Sequence, residues 1–112
     1  MKLTCTARQS GQQLIVTVAG DVDLAIYPRL RTEAQTWADN GTDVVMDCSG
    51  VTFMDSMGIR VLIQLRRAIT DAGHTLALVG PSQPVVRVLE LAGIQDLFEQ
   101  AARPQADDET TS

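Results

Sequence analysis

The sequence predicts a single α/β domain: a mixed, four- to five-stranded sheet made of an N-terminal hairpin and a parallel βαβ unit, with helices packed on it. Three observations carry this reading. Residues 2–19 hold two strand patterns joined by the turn signal Ser10-Gly11. Residues 25–92 then alternate between helical and strand periodicity. The chain has 112 residues, below the ~150 that serve as a prior for one domain. Apolar residues make up 45% and aromatics only 4%, so the core must be built from Val, Leu, Ile, Ala and Met.

The elements follow in order. Leu3, Cys5 and Ala7 alternate with Thr4, Thr6 and Arg8, which is a half-buried strand. Residues 13–19 carry Leu14, Ile15, Val16, Val18 and Ala19, the partner strand of a hairpin, ended by Gly20-Asp21. A helix is expected over 25–39, starting near Ile26 or Tyr27 because Pro28 is tolerated only in a first turn. Ile26, Leu30, Ala34 and Trp37 form its apolar stripe, and Asn40-Gly41 stops it. Residues 43–48 have apolar side chains on both faces, which suits a central strand.

Residues 49–58 read as a connection leading into a helix over 57–72. Its wet stripe is Arg60, Gln64, Arg67 and Asp71, and its buried stripe is Leu62, Leu65, Ile69 and Ala72. Residues 75–79 are the next strand. Ser82 is placed to cap a third helix with Pro84 in its first turn, with Val85, Val88, Leu89 and Ala92 facing inward and Gly93 closing it. Ile94, Leu97 and Phe98 are expected to fold back on the core. From Ala101 the chain turns polar, as a flexible acidic tail does.

Composition removes several functions. The net charge is −5, of which residues 1–100 carry −3. A mildly acidic body lacks the clustered basic face of a nucleic-acid binder. No apolar run reaches the ~18–20 residues of a membrane span, and no basic-then-apolar leader pattern opens the chain. Lys2 is the sole lysine, so a Walker-type phosphate loop is absent, and no Gly-x-Gly-x-x-Gly follows a strand. No Cys/His cluster stands at zinc spacing, so no metal or cofactor is expected. Cys5 and Cys48 read as small apolar residues of a reduced, cytoplasmic protein. A redox disulfide between them would need Cα atoms closer than about 7 Å.

Asp55 and Ser56 open the second helix, and two readings stand for Ser56. Its hydroxyl is a good N-cap. Equally, an exposed hydroxyl at a helix start, beyond the carboxyl edge of a strand, is placed for modification or ligand contact. Gly58 removes a side chain in the first turn, so that another backbone or a nucleotide can approach. A hydrolytic Ser-His pair is excluded: His74 is the only histidine, and it lies past the far end of a helix about 24 Å long. Asp21, Asp23 and Asp55 either crowd the same edge with like charge or serve as turn and cap residues. Met57 and Ile63 are candidate contact residues, Ile63 lying near the polar stripe.

Gly20-Asp21-Val22-Asp23 before a helix, Ser49 to Ser56 before the Gly58 helix, and Gly80-Pro81-Ser82 before Val88 to Ile94 together resemble the STAS domain. More narrowly, they resemble bacterial anti-sigma factor antagonists. The resemblance runs from residue 3 to 99, so residues 1–100 are taken as the STAS domain and 101–112 as the tail. It implies that the serine after the Asp of the motif, here Ser56, is phosphorylated by the partner, an anti-sigma factor that is also a serine kinase. The unphosphorylated antagonist binds that partner and frees the sigma factor. Asp21, Asp23, Asp55, Ser56, Met57, Gly58, Arg60 and Ile63 are then the expected partner-binding residues of a non-enzymatic, monomeric module. The sequence departs from the family pattern at Met57, which replaces Ser or Thr, and at Ile59-Arg60, which replaces Leu-Gly. The alternative is a STAS interaction module of another class, constitutive or redox-gated, or a subunit of a transporter or signalling assembly.

Overall fold

In the computed structural model, residues 3–94 and 98–100 are described. Strand β1 (Leu3–Ser10) and strand β2 (Gln13–Val22) form the expected antiparallel hairpin, with Cys5 opposite Val18 and Ser10 opposite Gln13. Helix α1 (Tyr27–Asp39) leads to strand β3 (Asp43–Met54), helix α2 (Ser56–Asp71) to strand β4 (Leu76–Val79), and helix α3 (Gln83–Ala92) to the two-residue strand β5 (Glu99–Gln100). The sheet order is β1-β2-β3-β4-β5, with every pair after the hairpin parallel.

That order decides where the helices go. Each crossover from β2 onward steps in the same direction, and right-handed crossovers then place all three helices on one face. Leu30, Ala34 and Trp37 of α1, Leu62, Leu65 and Ile69 of α2, and Val85 and Leu89 of α3 share one core with Val16, Val44, Met46 and Leu78. Ile15, Val45 and Val79 form a smaller buried cluster on the other face of the sheet. Val44, Val45 and Met46 are all buried, as a central strand requires. Ile94 packs on the core and Phe98 is buried; Leu97 and the 101–112 tail lie outside the described residues.

Three alanines of the expected stripes are left uncovered, unlike Ala34. Ala7, Ala72 and Ala92 are exposed. Ala72 is the C-cap of α2 and Ala92 ends α3, so each falls where the helix has already turned off the core. A methyl group alone carries too little apolar area to pull a helix end inward.

The larger departure is β3. It does not end at Cys48 but runs on through the segment read as a connection, while β2 continues past Gly20 to pair with it, Val22 against Met54. Two register shifts, between Thr17 and Ala19 and between Gly20 and Asp21, let the strands stay paired through this twist. Gly20 takes φ 102°, open to glycine at no steric cost. Gly50 allows the close approach: a Cβ there would stand 2.9 Å from the Cβ of Ala19. Val51 and Met54 point into the core, while Thr52 and Phe53 stay exposed.

Candidate functional site

The extended ends of β2 and β3 and the start of α2 meet at one edge of the sheet. Asp55 N–H donates to the Val22 carbonyl at 3.2 Å, tying the α2 entry to the end of β2. Asp21 lies opposite Phe53 in the register, and its Oδ1 accepts from Thr52 Oγ1 at 2.7 Å. Asp23 follows in the loop, and its Oδ1 accepts from the Ile26 N–H at 3.3 Å just before α1. The three carboxylates thus lie along one edge: Asp55 is a cap, Asp23 a turn residue, and Asp21 a strand residue rather than a turn or cap.

The helix cap is not the one expected. Asp55 is the N-cap of α2, and its Oδ1 accepts from the Met57 N–H at 2.9 Å. Ser56 is the first helical residue and exposed, so its hydroxyl is not spent on capping. An aspartate caps as well as a serine, and the residue one position earlier has the extended backbone that the cap requires. Ser82 does occupy the N-cap of α3 but makes no side-chain cap bond; its Oγ is buried without a hydrogen-bond partner among the described residues.

Gly58 also differs from expectation. It is buried, and the space beside it is filled: a Cβ there would meet Met54 Cγ at 2.7 Å and Val22 Cγ1 at 2.8 Å. The glycine seats α2 on the ends of β2 and β3 and offers no open surface to a ligand or partner. Arg60 is exposed, Met57 half-buried, and Ile63 is 39% exposed on the outward side of α2.

Two residues at this edge were not singled out from the sequence. Leu24 is 66% and Phe53 49% exposed. Phe53 also lines a groove of about 310 Å³ with Pro84, Arg87 and Val88 of α3. The signal for Phe53 was its place in the Val51 to Met54 stretch, hidden as long as that stretch was read as a connection. Leu24 has no sequence signal beyond being an apolar residue in a loop.

Other candidates disperse. His74 sits beyond the far end of α2 from Ser56, with Nδ1 3.4 Å from Asp43 Oδ1. Cys5 on β1 and Cys48 on β3 are free thiols with β2 between them. Two strand spacings put them about 9.6 Å apart, beyond the reach of a disulfide. Burial, with Asp47 beside it, pushes the Cys48 thiol up to about 12; burial also raises Cys5. Among the described residues no group of three or more His, Cys, Asp or Glu is arranged to hold a metal, and no helix is long and apolar enough to cross a membrane.

A mixed sheet with its helices on one face and a capped helix starting at its carboxyl edge points to a known family. The STAS domain model matches residues 4–108, and the chain belongs to that family. It is 25% identical over 105 residues to the anti-sigma-B factor antagonist of Bacillus subtilis, covering 94% of this chain and 96% of the relative. Among solved structures, an anti-sigma factor antagonist from Mycobacterium paratuberculosis superposes with a TM-score of 0.80 at 21% identity, covering 96% of this chain and 90% of that one. The unphosphorylated form of the Bacillus anti-sigma factor antagonist SpoIIAA gives 0.76 at 18% identity, covering 94% of each chain. At these identities the structural matches speak for the fold, which is the single STAS-like domain expected.

Proposed function

We propose that this chain is an anti-sigma factor antagonist. It binds an anti-sigma factor that is also a serine kinase, frees the sigma factor, and is switched off by phosphorylation of Ser56. The observation that carries this reading is the division of labour at the start of α2: Asp55 caps the helix, so the exposed Ser56 hydroxyl is left for chemistry. The names of the relatives support the antagonist role.

In the proposed step, Ser56 Oγ attacks the γ-phosphorus of ATP held by the partner. The Oγ–P bond forms, the bond from the γ-phosphorus to the bridging oxygen breaks, ADP leaves, and the hydroxyl proton passes to a base on the kinase. The product adds about −1.5 to −2 charges at pH 7. Those charges fall beside Asp21, Asp23 and Asp55, at the centre of a surface with Leu24, Phe53, Met57 and Ile63 as its apolar contacts. Arg60 lies on the same surface. Gly58 serves from beneath, by seating the helix.

The redox-gated alternative has no support in the cysteine placement. The experiment is incubation with ATP and the cognate anti-sigma kinase, followed by peptide mass mapping and a sigma-release assay. One added phosphate on Ser56 and loss of partner binding is the expected result. Tight binding that survives stoichiometric Ser56 phosphorylation, or no phosphate at Ser56, overturns the reading.

A further inference from the structure

We infer that Arg60 is the residue that holds the phosphate once Ser56 carries one. This rests on the proposed phosphorylation of Ser56 and says what the phosphate then does. Ser56 is the first residue of α2 and Arg60 stands four positions on, so both lie on one face of the helix with Cβ atoms about 5–6 Å apart. Both are exposed. An anion N-terminal to a cation at this spacing is the favourable orientation. The guanidinium reaches back over that distance, and its fork matches two phosphate oxygens.

Arg60 is unclaimed. Its side chain makes no hydrogen bond or ion pair among the described residues. The carboxylates of the edge are occupied elsewhere: Asp55 with the Met57 N–H, Asp23 with the Ile26 N–H, and Asp21 with Thr52. Two other arginines come into question. Arg67 is seven residues further along α2, about 10 Å from Arg60. Arg87 is on α3 and faces the Phe53 groove. Of these three described arginines, Arg60 is the one spaced to meet a group on Ser56.

The consequence is that one modification changes two features of the surface. The phosphate adds charge at Ser56, and the same phosphate draws the Arg60 guanidinium away from the partner and back onto the helix. A serine-to-aspartate mimic is shorter and carries one charge, so it reproduces the first effect and little of the second.

The test needs no kinase. The full chain is made with phosphoserine installed at position 56 during synthesis, in the wild type and with Arg60→Gln, Arg60→Lys, Arg67→Gln or Arg87→Gln. The second ionisation of the phosphate is followed by ³¹P NMR. A nearby cation favours the dianion and lowers that ionisation. Asp21, Asp23 and Asp55 oppose it equally in every variant. The expected result is that Arg60→Gln raises the phosphate pKa by about half a unit or more, that Arg60→Lys retains part of the shift, and that Arg67→Gln and Arg87→Gln leave it unchanged. An ionisation equal in wild type and Arg60→Gln overturns the inference, as does a shift that Arg87→Gln abolishes instead. Failure of the kinase to modify Ser56 would defeat the proposed function without altering this titration, so the two failures are distinguishable.

Discussion

Gly58→Ala is the sharpest probe of how the site is built. In an ordinary helix interior, replacing Gly by Ala stabilises by about 0.5–1 kcal/mol. Here the added methyl would stand 2.7 Å from Met54 Cγ and 2.8 Å from Val22 Cγ1. Met54 can yield in part, but the closest contact is with its Cγ, while its Cε end also stands 3.3 Å away. Val22 is β-branched, 1% exposed and fixed in β2, so it has nowhere to go. Overpacking of this kind costs about 1–3 kcal/mol. The net expectation is a loss of about 1–2 kcal/mol, or a fall in melting temperature of roughly 5–15 °C for a domain of this size. Calorimetry or urea unfolding measures it. Adding Val22→Ala, which makes room for the new methyl, should cost less in the Gly58→Ala background than in the wild type, and a double-mutant cycle reads that coupling. A melting temperature unchanged or raised in Gly58→Ala would refute the packing role and return Gly58 to the exposed surface.

Three further outcomes are expected. Asp55→Ala should lose about 0.5–2 kcal/mol of stability as the cap is removed, whereas Ser56→Ala should stay within about 0.5 kcal/mol and still bind the partner, and Ser56→Asp should fold but bind more weakly; thermal melts and dissociation constants of the three variants check this. Cys48 has its thiol pushed from 9.0 to about 12 in the folded chain, so the unfolded chain releases that proton first, and stability should fall with rising pH above about 9 by roughly 1.4 kcal/mol per unit. The slope should flatten in Cys48→Ala, measured by urea unfolding between pH 8 and about 11. Phe53→Ala and Leu24→Ala remove exposed side chains, so each should leave the fold within about 0.5 kcal/mol while weakening partner binding about tenfold or more, as buried aromatic and aliphatic anchors of an interface do; isothermal titration of both variants decides it.

The helices and the N-terminal hairpin were legible because periodicity reports the core directly. Leu30, Ala34 and Trp37 and then Leu62, Leu65 and Ile69 repeat at helical spacing, and each set is buried. The continuation of β3 was not legible. Its last six residues are buried in the pattern exposed, exposed, buried, exposed, exposed, buried, which has no period of two, because each of the two register shifts adds an extra residue on β3 relative to β2. That irregularity is tertiary: it depends on Gly50 lying over Ala19, a contact between residues 31 positions apart. The same misreading concealed Phe53 and gave Gly58 the wrong neighbour, since a glycine before an unseen strand end looks like open space. The cap was ambiguous for a different reason. Asp55 and Ser56 are both good capping residues side by side, and only the backbone shows which one is still extended.

The packing beneath the edge also bears on the kind of switch this site can support. Val22, Met54 and Gly58 are buried together, and Asp55 is bonded to both the end of β2 and the first turn of α2. Such a platform has no slack through which a phosphate on Ser56 could lever the fold, and the exposed hydroxyl leaves no buried partner to be torn away. A phosphate on Ser56, as proposed, would therefore act at the interface. An uncompensated charge buried in a contact costs about 3–5 kcal/mol, which at about 1.4 kcal/mol per tenfold is two to three and a half orders of magnitude in affinity. If Arg60 takes up the phosphate, part of that charge is neutralised within the chain and the penalty shrinks, while the partner loses whatever Arg60 offered it. Removing Arg60 should then weaken the two states for different reasons and by unequal amounts: the unphosphorylated protein loses what Arg60 offered the partner, and the phosphorylated protein meets the full, unneutralised charge penalty. Partner dissociation constants for wild type and Arg60→Gln, each with and without phosphoserine, form a closed thermodynamic square. A square in which the Arg60 substitution weakens both states equally would show that the arginine touches the partner and never the phosphate.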